Sequence, residues 1–379
     1  MSSSNNIFSL SGQSLKLDTA EHIEPHLKPL IASNTVTEIH LGGNTLGAPA
    51  CETPRLTLSS LLTALLELPN LHTVDLSDNA FGLNTVEPLV DFLSRHVPLQ
   101  HLILQNNGLG PNAGTLIAHA LTALAERKEE ARKSGKTVPD LETVICGRNR
   151  LESGSMSAWA KAYRAHRKVK TVKMVQNGIR QDGISLLLTE GLVWCQELVV
   201  LDLQDNTFTI TGARSLSQVV EGWKQIRELG IGDSLLGSRG AVLFAEALGK
   251  GNNGLLGVAA NDKLVKLRRV ELNGNKFSED DEPVEGLRLL LEERKEKAGD
   301  AEGEWGLDEL SDLEEESDEE DEDEDEDDDD EAEREEQEEA EHKREGILKD
   351  ADQEEAQKVS QKKDDDVDAL ADSLGKTEI

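Results

Sequence analysis

The chain has 379 residues, room for about two or three globular domains of roughly 100–200 residues, or for one long repeat array. It carries 75 Asp and Glu against 40 Lys and Arg, net −35, with aromatics at only 3%. That balance argues against direct nucleic-acid binding, which needs cations facing phosphates, and a core so poor in aromatics points to many small aliphatic layers.

The charge is uneven. Glu302–Ile379 holds 39 acids and 8 bases, so residues 1–301 keep 36 acids and 32 bases. A nearly neutral body is followed by a strongly acidic tail. Cys51, Cys146 and Cys195 lack the C-x-x-C spacing of zinc or redox sites. A sparse, odd count fits a reducing compartment. There is no apolar run of about 18 residues for a membrane span and no signal-peptide pattern. The expectation is a soluble intracellular protein with no membrane or nucleic-acid partner.

The body is built on one pattern, L-x-x-L-x-L-x-x-N-x-L. Copies begin at Val36, Leu71, Leu99, Leu141, Val169, Leu198, Ile226 and Leu267, with a candidate capping strand at Leu15–Leu17. Seven of the eight copies place asparagine in one slot: Asn44, Asn79, Asn107, Asn149, Asn177, Asn206 and Asn275, with Ser234 in the eighth. The recurrent step of 28–29 residues is the long, helix-containing class of leucine-rich repeat. In that register the x-L-x-L part is a short strand whose alternate residues point inward, the slot amide serves backbone groups in the following turn, and the remainder is a helix. Stacked copies predict an α/β leucine-rich-repeat solenoid with strands on the concave side and helices on the convex side.

Taken in chain order, the Val36 copy is followed by an irregular stretch, Gly47–Pro54. The next helix shows a stripe at Val86, Leu89, Val90 and Leu93. The one after Leu109 reads as Leu116, Ala120, Leu121 and Leu124. Glu126–Asp140 is a charged insert expected to prolong that helix and loop outward. Gly249–Gly257 is a second, glycine-rich insert. The chain changes character near Ala298, which divides it into a repeat domain, 1–297, and an acidic tail, 298–379. Asp318–Glu331 is fourteen consecutive acids, a run that cannot bury enough apolar surface to order itself. The tail reads as a solvating segment or as an attractor of a basic partner. Deleting the chain from Asp308 onward is expected to leave the body folded.

Catalytic motifs are absent. There is no P-loop, no strand-borne G-x-G-x-x-G, no G-x-S-x-G and no H-E-x-x-H. His22 and His26 are four apart, but Pro25 between them weakens the helix that would present them. No metal and no cofactor are expected. An arc of strands without chemistry of its own most often holds another protein.

The non-framework residues carry a resemblance. LHTVDLSDNAFG (Leu71–Gly82), LQNNGLGP (Leu104–Pro111), ICGRNRLESGSM (Ile145–Met156), VKMVQNGIRQDGI (Val172–Ile184), CQELVVLDLQDNTFT (Cys195–Thr209) and ELNGNKFSEDD (Glu271–Asp281) resemble fungal Ran GTPase-activating proteins over about residues 7–331. An acidic tail after the last repeat is a trait of that family. The resemblance implies a GTPase activator, not an enzyme, whose partner is the small GTPase Ran in its GTP-bound form, alone or beside a Ran-binding protein. It implies a monomer that stays in the cytoplasm and serves nucleocytoplasmic transport. The implied mechanism uses no arginine finger: an asparagine of the activator positions the partner's catalytic glutamine, and the matching position here is Asn106. Read without the resemblance, Asn106 is an ordinary exposed asparagine one step out of phase with the slot residue Asn107.

The residue before each slot forms a polar row: Asp78, Asn106, Arg148, Gln176, Asp205 and Asp233. The resemblance turns that row towards a basic face of the partner, so Asp78, Arg148, Arg150, Gln176, Asp205 and Asp233 are candidate partner contacts. For Arg148 and Arg150 the alternative is local pairing with Glu152. The chain also departs from the family. It has about two repeats fewer than is typical, with repeat-sized losses between Asn44 and Asn79 and between Ser234 and Asn275. The first removes an arginine important to the family's activity, and Arg55 lies nearby in a different context. The other class of function compatible with the residues is a non-catalytic leucine-rich-repeat scaffold that binds a protein without activating it.

Overall fold

The computed structural model describes residues 6–15, 22, 24–26, 30, 35–44, 53–249, 264–275, 282–298 and 304–308. Ten strands make one all-parallel sheet whose spatial order equals the chain order. They are β1 Ile7–Ser9, β2 Glu38–His40, β3 Thr73–Asp75, β4 His101–Ile103, β5 Thr143–Ile145, β6 Thr171–Lys173, β7 Val200–Asp202, β8 Glu228–Gly230, β9 Arg269–Glu271 and β10 Gly306–Leu307. Between them run α1 Thr53–Leu66, α2 Val86–Arg95, α3 Gly110–Lys133, α4 Met156–Ala165, α5 Gln181–Leu186, α6 Thr209–Val219, α7 Gly237–Gly249 and α8 Glu282–Ala298. From β2 onward each pair of parallel neighbours is joined by a helix, as a 28-residue period requires. The chain is therefore an α/β leucine-rich-repeat solenoid.

The period of two along each strand decides which residues go inside. Ile39, Val74, Leu102, Val144, Val172, Leu201, Leu229 and Val270 are the central strand residues, and all are buried. Their neighbours on either side face the open side of the sheet. The slot asparagines do the polar work of the core. Asn107 Nδ2 donates to Leu104 O at 2.9 Å and to Leu76 O, one repeat earlier, at 3.0 Å. Asn177, Asn206 and Asn275 bridge two repeats in the same way. The side-chain oxygen accepts from the preceding slot: Asn79 N to Asn107 Oδ1 at 2.9 Å, Asn107 N to Asn149 Oδ1 at 2.8 Å, Asn149 N to Asn177 Oδ1 at 2.9 Å and Asn177 N to Asn206 Oδ1 at 3.1 Å. One amide thus satisfies groups that have no sheet partner in the turn. The ladder survives the 42- and 41-residue steps, with Asn107 N to Asn149 Oδ1 at 2.8 Å and Ser234 N to Asn275 Oδ1 at 3.0 Å, and among the described residues it lapses at two slots. Asn79 Oδ1, at the 35-residue step from Asn44, is buried without a partner. Ser234 is too short to reach Asn206 and bonds Gly232 O instead.

Several expectations need correction. The first described strand is Ile7–Ser9, paired to β2 with Ile7 beside Glu38; of the expected strand Leu15–Leu17, Leu17 lies outside the described residues. Leu15 lies in the following loop, where its N–H caps Asn44 Oδ1 at 3.0 Å. On α3 the buried stripe is Ala113, Ile117, Ala120, Leu121 and Leu124, while Leu116 is 42% exposed. The stripe is set by where the helix leans on its neighbours, which shifts it by one residue. The insert does prolong α3 to Lys133, but it folds back rather than outward. Lys128 is buried and its ammonium donates to Val97 O, Leu99 O and Pro139 O at 2.7, 2.7 and 2.8 Å. Arg132 closes the return with Asp140 at 2.6 Å. Burial pulls the Lys128 pKa down to about 7, against which three carbonyls matched to three ammonium protons hold the charged form.

The sheet also runs past residue 297. β10 pairs with β9, Gly306 beside Arg269, and the Asp308 carboxylate accepts from Leu272 N at 2.8 Å and Asn273 N at 2.9 Å. Most of Gly47–Pro54 and Gly249–Gly257, together with Leu17, Cys51, Asp318–Glu331 and the remaining tail, lies outside the described residues. Cys146 and Cys195 are buried thiols whose pKa values burial pushes up to about 12.

Candidate functional site

After each strand the chain must rise to the rim and turn into the helix without breaking the ladder. Its solution is the same in every repeat. Asp78, Asn106, Arg148, Gln176, Asp205 and Asp233 take φ of 56, 55, 56, 55, 54 and 49°. All six are in the left-handed region that L-residues avoid. Glycine holds the equivalent place at both ends of the array, Gly43 at 72° and Gly274 at 79°. The reason is visible in the backbone. In this conformation each residue's N–H still reaches the next repeat: Asp78 N to Gln105 O at 2.9 Å, Asn106 N to Gly147 O at 2.9 Å, Arg148 N to Val175 O at 2.8 Å and Gln176 N to Gln204 O at 3.0 Å. Each such residue costs about 1–2 kcal/mol, and the surrounding hydrogen bonds hold it there. Side chains leave the rim outward while the adjacent slot asparagine stays inside.

The six residues of the row are all exposed. Asn107, one step from Asn106, is fully buried. Asn106 is not isolated: its Nδ2 donates to Asp78 Oδ1 across the repeat boundary at 2.7 Å. Arg148 and Arg150 are exposed, and Arg150 is also left-handed at 53°. Among the described residues neither forms an ion pair with Glu152, which has its own positive φ of 53° and precedes the next helical turn. Among the described residues the side chains of Gln176 and Asp205 have no hydrogen-bond partner. A Cβ at Gly274 would collide with the Asp233 carboxylate, so that side chain leans over the last described rung. Of the candidate residues, then, Asp78 and Asn106 are brought into contact, and the others are spaced one repeat apart along the edge.

The open face of the sheet carries groups that sequence reasoning did not single out. Gln204 Nε2 bridges Asp202 Oδ1 at 3.1 Å and Glu271 Oε2 at 2.5 Å. It does so across Gly230 and Gly232, where a Cβ would lie 2.8 Å from Asp202 Oδ1 and from Gln204 Oε1 respectively. Burial holds the Asp202 carboxyl above its ordinary range, eased by the Gln204 bond. Arg269 joins Glu271 and Arg268 joins Glu228, each at 2.8 Å. At the other end His40 lies 3.4 Å from both Glu38 and Asp75. The signal for these was the x positions of each x-L-x, which alternate with the core residues. The face is polar and largely self-paired, while the rim above it presents exposed polar side chains, of which Asp78 and Asn106 are bonded to each other. That arrangement suits docking of a macromolecule along the edge and contains no catalytic constellation of its own.

No family model matches the chain. It is 36% identical over 351 residues to Ran GTPase-activating protein 1 of Saccharomyces cerevisiae, covering 76% of this chain and 82% of that protein. It is 34% identical over 209 residues to Ran GTPase-activating protein 2 of Caenorhabditis elegans, covering 47% of this chain but 21% of the worm protein. The ribonuclease inhibitor of Sus scrofa is similar at 24% over 281 residues, 61% of this chain and 59% of that one. Shared repeats account for the inhibitor's lower identity. The yeast match extends over most of both chains. The chain belongs to the Ran GTPase-activating protein family.

Proposed function

We propose that this chain stimulates GTP hydrolysis by the small GTPase Ran in its GTP-bound form, and that it does so by positioning the partner's catalytic glutamine with the side chain of Asn106. It is a GTPase activator: the bond-breaking machinery is the partner's, and the activator supplies placement. The observation that carries this reading is the contrast between two adjacent asparagines. Asn107 is spent inside the ladder, while Asn106 is exposed at the rim with its backbone held by Gly147 O. A neutral amide of fixed position can orient a second amide, and through it the attacking water, without bringing charge to the phosphates. No arginine finger is required. Asp78, Arg148, Arg150, Gln176, Asp205 and Asp233 extend the contact along the same rim, with the three acids meeting a basic face of the partner, with or without a Ran-binding protein alongside.

The protein acts as a monomer in the cytoplasm, on the cytoplasmic side of nucleocytoplasmic transport, with residues 1–297 as the working domain and 298–379 as an acidic tail. Relative to typical members it lacks about two repeats. Support for the deficit is that the yeast alignment of 351 positions occupies only 76% of this chain. The neighbouring strands β2 and β3 still pair directly, Glu38 beside Thr73, so the array closes across the loss.

The test is single-turnover hydrolysis by Ran·GTP with the full chain and with Asn106→Ala. The expected loss is about two to three orders of magnitude in the stimulated rate, a few kcal/mol of positioning, with partner binding retained. Binding without stimulation by the wild-type chain would instead support a non-catalytic scaffold. Wild-type stimulation by Asn106→Ala would remove the assignment of Asn106.

A further inference from the structure

Asn106 poses a problem that its place on the rim does not solve. A side-chain amide on an exposed surface has two orientations, related by a half-turn, that exchange a donor for an acceptor. Only one presents the partner with the right group. We propose that Asp78 is the positioning residue that holds the Asn106 amide in one orientation, and so acts on the partner's hydrolysis through Asn106 rather than by touching the partner's reacting atoms. This rests on the functional reading above.

The chemistry of the contact selects the orientation. Asp78 Oδ1 lies 2.7 Å from Asn106 Nδ2. An ionised carboxylate has no proton to give, so it accepts only; the amide must turn its NH2 to Asp78, and its oxygen must face away. A flipped amide would set oxygen against oxygen at that distance. The bond has one charged partner, the stronger kind.

Both ends of the pair are mounted rigidly. Asp78 N is bonded to Gln105 O and Asn106 N to Gly147 O, both at 2.9 Å. Both residues have positive φ, 56 and 55°, so their side chains leave the rim in parallel from adjacent rungs. Directly beneath, the buried slots are tied by Asn79 N to Asn107 Oδ1 at 2.9 Å. The separation between donor and acceptor is therefore fixed by the repeat stacking itself. Asp78 and Asn106 are 28 residues apart, one repeat, which is why neither motif taken singly discloses the pair.

The experiment measures single-turnover Ran·GTP hydrolysis while the full chain is titrated to saturation, giving a saturated rate and a half-saturating concentration separately. The variants are Asp78→Ala, Asp78→Gly, Asp78→Asn, Asn106→Ala and Asp78→Ala combined with Asn106→Ala. Asp78→Gly removes the carboxylate while relieving the backbone at positive φ, so it guards against a trivial folding loss in Asp78→Ala. Expected is a fall in the saturated rate of roughly 10- to 100-fold for both, over and above any rise in half-saturation from the loss of one partner-facing acid. Asp78→Asn should restore the rate only in part, because its amide oxygen can accept the same bond but its NH2 can equally donate to a flipped Asn106, so the orientation is no longer selected. In the Asn106→Ala background, Asp78→Ala should have no further effect. The inference is overturned if Asp78→Ala and Asp78→Asn alike raise the half-saturating concentration and spare the saturated rate, the behaviour of a charged partner contact. It is also overturned if the Asp78 effect persists in full without Asn106. Unchanged stimulation by Asn106→Ala alone would sink the functional reading, a result distinct from either of these.

Discussion

Two adjacent residues of identical chemistry, Asn106 and Asn107, differ only in the sign of the environment they meet. Asn107 gives its NH2 to Leu76 O and Leu104 O and takes the N–H of Asn79. Truncation leaves these buried groups unmatched, at about 1–3 kcal/mol for each group orphaned. Asn107→Ala should therefore lower the melting temperature by many degrees, whereas Asn106→Ala should lower it slightly. The small effect is not zero: alanine at φ 55° is less at ease than asparagine, by up to about 1 kcal/mol. Thermal melts of both variants, with Asn106→Gly as the strain-free control, check the pair; equal losses would refute the division of labour. The slot was legible in the sequence because a buried amide must recur in phase. The left-handed backbone of the rim was not, since Arg148 and Gln176 have no preference for it and adopt it only because the ladder continues through them. Nor was the Asp78–Asn106 bond, which depends on the stacking of two turns rather than on any local pattern.

At the level of the element, each helix must end where the next strand begins, and two of them end on a buried histidine. His96 caps α2 and His166 caps α4, and the Nε2–H of each donates at 2.7 Å to a carbonyl, Leu71 O and Leu121 O respectively. Burial pushes both pKa values down to about 4, partly offset by those bonds. Each ring is therefore neutral in the folded chain at neutral pH. Unfolded, it would bind a proton near pH 6.5, so between about 6.5 and 4 the unfolded state holds more protons and stability falls as pH falls. The two shifts correspond to about 3 kcal/mol each at the acid end of that window. The melting temperature should drop steeply from pH 6.5 to 4.5, and His96→Gln or His166→Gln, which keep a donor, should flatten that slope. A slope unchanged in both variants would assign the acid sensitivity elsewhere. The helices themselves followed from the period. What the period could not supply was the one-residue rotation that exposes Leu116 on α3, or the burial of Lys128 inside a charged insert. Both are fixed by neighbours distant in sequence.

Across the whole array, the difficulty of a solenoid is its ends. In every interior repeat the N–H that follows the strand finds the next strand: Leu76 N to Ile103 O, Leu104 N to Ile145 O, Ile231 N to Glu271 O. Among the described residues the last full repeat has the two residues of β10 beside it. There the Asp308 carboxylate stands in for the missing strand, accepting from both Leu272 N and Asn273 N. Charge alone placed Asp308 with the acidic tail; its geometry makes it the cap of the repeat body. A capping residue is what keeps the final core layer closed to water. The proposed division at 297 can therefore be tested against a later one by comparing three chains. One ending at Leu313 should melt like the full-length protein. One ending at Leu307 keeps β10 but loses the cap, and should lose stability by about 1–3 kcal/mol, the cost of N–H groups left unmet. One ending at 297 loses strand and cap together and should be weaker still. Faster amide exchange in that chain should begin at Arg269–Asn273 and fade towards β6, because each repeat leans chiefly on its neighbours. If the chain ending at 297 melts with the full-length protein, β10 and Asp308 contribute nothing to the body and the boundary at 297 stands.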